Sequence, residues 1–166
     1  MDRDDGFEDF YRATRHRVVT VLYALGGDIH EAQDAAQEAY VRAWQRWQRI
    51  GEYGDPEAWV RGVGHRLLIN RWRKIRNGIR ANRRHGPATA VGPPSENTVA
   101  LVAALRRLPL EQREAIVLHY LADLSVADIA TQIGVPLGTV KARLSRGRQA
   151  MAPMLGSTLP EEVSNA

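Results

Sequence analysis

Residues 124–148 spell out two short helices joined by a tight turn, and the rest of the chain has to be built around them. Ser125 with Asp128 three positions on reads as an acidic variant of a capping box, so a helix starts there. Ile129 and Ile133, four apart, give that helix one apolar face, and Ala130 is small enough to let a second helix pass close. Gly134 can take the left-handed conformation that ends the first helix, and Pro136 favours the start of the next. Val140 and Leu144 again stand four apart and predict an inward side. Lys141, Arg143, Arg146 and Arg148 spread over the remainder, with no acidic residue among them. A helix with a packed rear and a cationic front suits the major groove of DNA. The plainer alternative is a helical hairpin whose basic face is simply solvated.

Charge divides the chain in the same sense. Residues 1–57 hold seven Lys/Arg against twelve Asp/Glu, a net of −5, whereas residues 58–166 hold sixteen against seven, a net of +9. No acidic residue stands between Ala58 and Ser95. One half therefore suits protein partners and the other a polyanion, with nucleic acid first among them. No apolar run approaches the roughly 20 residues needed to span a bilayer. The acidic start Met1-Asp2-Arg3-Asp4-Asp5 does not resemble a secretion signal. The chain has no cysteine, which excludes disulfides and thiolate metal sites and fits a cytoplasmic location.

In chain order, Phe7, Phe10, Tyr11, Val18, Val21, Leu22 and Leu25 recur at helical spacing until Gly26-Gly27. Asp28 is placed to cap a second helix, about Ile29 to Trp47, with Ala32, Ala36, Ala39, Tyr40, Ala43, Trp44 and Trp47 along its packed side. Its polar side holds Asp34, Gln37, Glu38 and Arg42, which composition alone reads as an ordinary solvated face. Asp55-Pro56-Glu57 opens a third helix running to about Ile75. That helix is strongly basic (Arg61, Arg66, Arg71, Arg73, Lys74, Arg76) and carries Trp59 and Trp72. Guanidinium groups for phosphates and rings for bases suit single-stranded DNA, although Trp72 reads better as core. Residues 78–97, with Asn77-Gly78, Gly86-Pro87 and Gly92-Pro93-Pro94, lack apolar periodicity and predict a flexible linker. Helices resume over 98–108, where Val99, Val102 and Leu105 repeat, and over 111–121, where Ile116, Val117 and Tyr120 point inward. Residues 156–166 are short, polar and expected to fray. The expected fold is all-α: two small helical domains, 1–77 and 98–155, the second a helix-turn-helix.

Nothing in the chain reads as catalytic. His16, His30, His65, His85 and His119 are scattered without metal-ligand spacing, and no Gly-rich phosphate loop or nucleophile elbow is present. Neither an enzymatic activity nor a metal or other cofactor is expected.

Three blocks together resemble the bacterial extracytoplasmic-function (ECF) sigma factors. Asp34-Ala35-Ala36-Gln37-Glu38-Ala39-Tyr40-Val41-Arg42-Ala43-Trp44 is similar to the family segment D-x-x-Q-E-x-F-x-x-x-W, whose polar face binds the β′ clamp helices of RNA polymerase. The resemblance thus turns Asp34, Gln37, Glu38 and Arg42 into core-polymerase contacts. Residues 55–76 are similar to the family's −10 recognition segment, which captures a flipped base of melted DNA. This implies −10 contacts by Trp59, Arg61, Arg66, Asn70, Arg71 and Arg73. Relatives usually carry an asparagine six or seven residues after the tryptophan, where this chain has His65-Arg66, so an altered −10 preference is expected. Residues 138–148 resemble the family's −35 recognition helix G-T-V-K-S-R-L-x-R-A-R. That match implies contacts by Thr139, Lys141, Ala142, Arg143, Ser145, Arg146 and Arg148, with Arg143 and Arg148 on the DNA backbone.

The resemblance implies a sigma factor that binds core RNA polymerase through the β′ clamp helices and β flap and directs initiation at promoter DNA. It further implies control by an anti-sigma factor and no membrane insertion. The alternative left open by the residues is a dimeric helix-turn-helix regulator acting without polymerase.

Overall fold

A computed structural model describes residues 3–78 and 92–155; most of the expected linker and the 156–166 tail lie outside them. The described residues form eight helices and no strand. The chain divides into two compact units, Met1–Pro93 and Pro94–Ala166.

The first unit holds α1 (Arg3–Gly26), α2 (Ile29–Gln45), the short α3 (Trp47–Ile50) and α4 (Pro56–Arg76). Gly27 ends α1 with a φ of +75°, a conformation that favours glycine. Asp28 then caps α2, accepting from the backbone N–H of His30 and Glu31 at 2.9 and 3.1 Å. The core is Val18, Leu22 and Leu25 of α1, an alanine row on α2 (Ala32, Ala35, Ala36, Ala39, Ala43), and Val60, Val63 and Leu68 of α4. Small residues let these helices approach closely. A Cβ on Gly64 of α4 would stand 2.7 Å from Cδ1 of Leu22. Tyr40 brings a buried hydroxyl into this core, where it lies 2.7 Å from Oγ1 of Thr14. Burial pushes its phenol well above the usual value, so it stays neutral.

Three expectations shift here. The second helical segment is interrupted at Arg46, whose φ of −117° breaks the run before Trp47. The restart serves packing: the Trp47 ring stacks on Phe10 at 4.9 Å and meets Phe7 edge-on at 5.3 Å. Trp44, expected on the packed side, is 47% exposed, because the alanine row already fills the gap between helices. Trp72 fulfils its core reading in part: half-buried, it lies so close to Gly26 that a Cβ there would stand 3.2 Å from the indole.

The second unit holds α5 (Glu96–Arg106), α6 (Leu110–Tyr120), α7 (Val126–Ile133) and α8 (Leu137–Leu155). Its core is Val102, Leu105, Leu108, Ala115, Ile116, Val117, Leu118, Ile129, Val140, Leu144 and Met151. Val99, expected inward, is 45% exposed, since it lies in the first turn of α5 before that helix meets its neighbours. Tyr120 is half-buried. The guanidinium of Arg113 closes the α5–α6 corner by donating to the carbonyls of Leu105 and Leu108 at 3.1 and 3.2 Å.

The turn chemistry read from residues 124–148 is present. Ser125 accepts from the Asp128 N–H at 3.0 Å, and Gly134 takes the left-handed conformation with φ +71°. Since the serine satisfies one of the orphan donors of α7, Ser125→Ala is expected to cost this unit about 1 kcal/mol. Urea unfolding of the second unit, followed by far-UV circular dichroism, measures it; an unchanged midpoint would contradict the cap.

Candidate nucleic-acid and partner interfaces

α2 presents its outward face through three side chains at i, i+4 and i+7: Gln37, Val41 and Trp44, all exposed. Val41 and Trp44 are 49% and 47% exposed, large apolar groups left on the surface beside charged ones. Glu38 sits next to this stripe and pairs with Arg42 at 2.7 Å and with Arg71 of α4 at 3.6 Å. Asp34, one turn earlier, is half-buried. The four expected polymerase contacts therefore share one side of α2. Val41 and Trp44 lie on that side too; an aromatic at helical spacing, such as Trp44, reads as core until the alanine row is seen to fill that role.

α4 separates its basic residues by face. Trp59, Arg66, Asn70 and Arg73 follow intervals of seven, four and three residues, which is one helical stripe. Arg66, Asn70 and Arg73 are exposed and Trp59 is half-exposed. Arg71 lies at the margin, its side chain 27% exposed and turned to Glu38. Arg61 departs from the expectation of a −10 contact: it is only 5% exposed. Two residues past Trp59 it has rotated about 200° round the helix, onto the core side. His65, the other buried polar residue of α4, is 6% exposed on that same side.

α8 packs through Val140, Leu144, Gly147 and Met151, all buried, and turns Lys141 and Arg146 fully outward. Thr139 and Ala142 are half-exposed and aligned with Arg146 at spacings of seven and four, and half-exposed Ser145 follows Lys141 by four residues. Arg143 sits lower, its side chain 19% exposed and 3.7 Å from the carboxylate of Glu111. A groove of about 390 Å³ runs between the start of α6 and this face, lined by Glu111, Gln112, Thr139, Ala142, Arg143 and Arg146. Arg148, expected on DNA backbone, is half-buried with Nη1 enclosed and no hydrogen-bond partner for it.

Among the described residues no group of three or more His, Asp or Glu could hold a metal ion, and no helix is long and apolar enough to cross a membrane.

Comparison with known proteins matches residues 10–78 to Sigma-70 region 2 and residues 98–151 to Sigma-70, region 4. The chain is 33% identical over 145 residues to the ECF RNA polymerase sigma factor SigL of Mycobacterium tuberculosis, covering 82% of each protein. The chain belongs to the ECF RNA polymerase sigma factors. This sigma factor is also 28% identical to SigW of Bacillus subtilis, over 91% of its own length and 89% of the relative. Its fold is similar to that of the sigma factor RpoE from Bartonella quintana, solved with the anti-sigma factor NepR. The TM-score is 0.74 at 21% identity, over 92% of this chain and 98% of that one. CnrH, solved with the cytosolic domain of CnrY, matches with a TM-score of 0.61 at 19% identity, over 92% of this chain and 89% of that one. This sigma factor is therefore an RNA polymerase-binding, promoter-specific initiation factor. The outward faces of α2 and α4 fall within the region 2 match, and α6 to α8 fall almost wholly within the region 4 match.

Proposed function

We propose that the three surfaces divide the work of initiation. The outward face of α2, with Asp34, Gln37, Glu38 and Arg42 joined by Val41 and Trp44, docks on the β′ clamp helices of core polymerase. The stripe of Trp59, Arg66, Asn70 and Arg73 on α4, flanked by Arg71, holds the melted −10 strand by stacking and phosphate pairing. α8 enters the −35 major groove with Lys141, Ala142, Ser145 and Arg146 toward base edges, and Thr139 and Arg143 toward phosphates. The second unit also meets the β flap. Tethering through the linker and through polymerase raises the effective concentration of each DNA contact for the other. The chain acts in the cytoplasm and makes no bond itself; polymerase supplies the chemistry.

The observation that carries this reading is the outward cationic face of α8, opposite Val140, Leu144, Gly147 and Met151. An anti-sigma factor is the proposed antagonist, by analogy with the complex of RpoE and NepR. Run-off transcription with purified core polymerase, with and without the chain, tests the whole. Initiation at defined start sites only when the chain is present is the expected outcome; binding of a palindrome without polymerase would favour a dimeric regulator instead.

Arg146→Ala is expected to lower discrimination between a selected −35 duplex and a scrambled one about tenfold, since a bidentate arginine–guanine contact contributes about 1–3 kcal/mol. Competition binding on the two duplexes measures it. Equal loss on both would move Arg146 from base edge to backbone.

A further inference from the structure

Among the described residues Glu111 is the one carboxylate lining the groove beside the DNA-facing side of α8, and the sequence of α8 itself contains no acid. It stands in the first turn of α6, its side chain 73% exposed, and its carboxylate lies 3.7 Å from Nη2 of Arg143. In the first turn of a helix that Pro109 leaves without a side-chain cap, its charge favours the start of α6, while an exposed ion pair at that distance adds little further stability. The pair does, however, meet every polyanion that enters the groove. A phosphate approaching Arg143 must displace the carboxylate or share the guanidinium with it, and the negative charge of Glu111 opposes that phosphate. Lys141 lies outside that groove, so a base-edge contact by Lys141 does not meet the competition, whereas Arg146 lines the groove one turn beyond Arg143.

We propose that Glu111 is a specificity-determining residue of the −35 surface: by holding Arg143 it suppresses sequence-independent phosphate binding, so that affinity depends on base contacts. This rests on the assignment of α8 to duplex DNA. It extends that assignment to a residue on another helix that never touches a base. In electrostatic terms Glu111 removes about one counterion's worth of salt-dependent, non-specific affinity.

The test uses the full chain and two 30-base-pair duplexes, one of random sequence and one selected from a randomised library with the parent chain. Glu111→Gln keeps the size of the side chain and removes its charge. Its affinity for the random duplex is expected to rise about threefold, and the slope of log affinity against log salt to steepen by about 0.9. The preference for the selected duplex should fall correspondingly. In the Arg143→Ala background the same substitution should change both quantities by clearly less. Unchanged or weaker binding of the random duplex by Glu111→Gln overturns the proposal, as does an equal gain with and without Arg143. Lys141→Ala and Arg146→Ala serve as a separate control. If neither weakens duplex binding, the assignment of α8 fails, whatever Glu111 does.

Discussion

Trp44→Ala is expected to lower the affinity of the chain for core RNA polymerase about 30-fold, the equivalent of about 2 kcal/mol. The indole is 47% exposed on α2, in line with Gln37 and Val41 and beside the Glu38–Arg42 pair. A large aromatic on an otherwise polar face is the usual anchor of a protein interface: its burial supplies apolar area, and the polar residues around it supply register. Since about half of the residue is exposed, its removal should cost the first unit about 1 kcal/mol, less than the loss in affinity. Titration of labelled core polymerase with parent and variant, alongside urea unfolding of each, separates the two effects. Undiminished affinity would take Trp44 off the docking surface; a matching loss of stability would return it to the core.

Gly147→Val is expected to destabilise the second unit by about 3 kcal/mol. A Cβ on Gly147 would stand 2.7 Å from Cγ1 and 3.1 Å from Cδ1 of Ile116. Ile116 is only 5% exposed on α6 and has little room to retreat. The helix that carries Lys141 and Arg146 would lift off its support, so duplex binding falls with stability while docking of the α2 face on the clamp helices is retained. All four tryptophans lie in the first unit, so indole fluorescence reports on that unit alone. The variant should therefore unfold earlier by far-UV circular dichroism with its fluorescence transition unmoved. An unmoved dichroism transition would mean that α6 and α8 do not approach as closely as described.

What could be read from the sequence was mostly local. Asp28, Asp55, Ser125 and Gly134 act within one helical turn of themselves, and each forms the cap or stop that its residue type favours. The apolar spacing of Val140 and Leu144 likewise settles which side of α8 is buried. Features that depend on a neighbouring helix were not legible. Arg46 breaks a helical run without glycine or proline, because Trp47 is drawn onto Phe7 and Phe10. Trp44 reads as core only until the alanine row is seen to leave it no space inside. Gly64 and Gly147 look like weak helix residues in a sequence, yet each marks where a second helix passes closest. Arg61 is a different case, since helical rotation from Trp59 was enough to place it inward; counting positive charges obscured that. Glu111 had no signal of its own until α6 and α8 were brought together.

Two variants compared side by side put the separation of duties to its hardest trial. Gln37→Ala/Trp44→Ala alters the outward face of α2, and Lys141→Ala/Arg146→Ala alters that of α8. Each is measured for complex formation with core polymerase, for binding to a selected −35 duplex and for run-off transcription from the promoter containing it. Independent modules predict that the first pair loses polymerase but keeps the duplex, that the second keeps polymerase but loses the duplex, and that neither supports initiation. If both pairs lost polymerase and duplex in parallel, one surface would be serving both partners, and the division between the two units would be wrong.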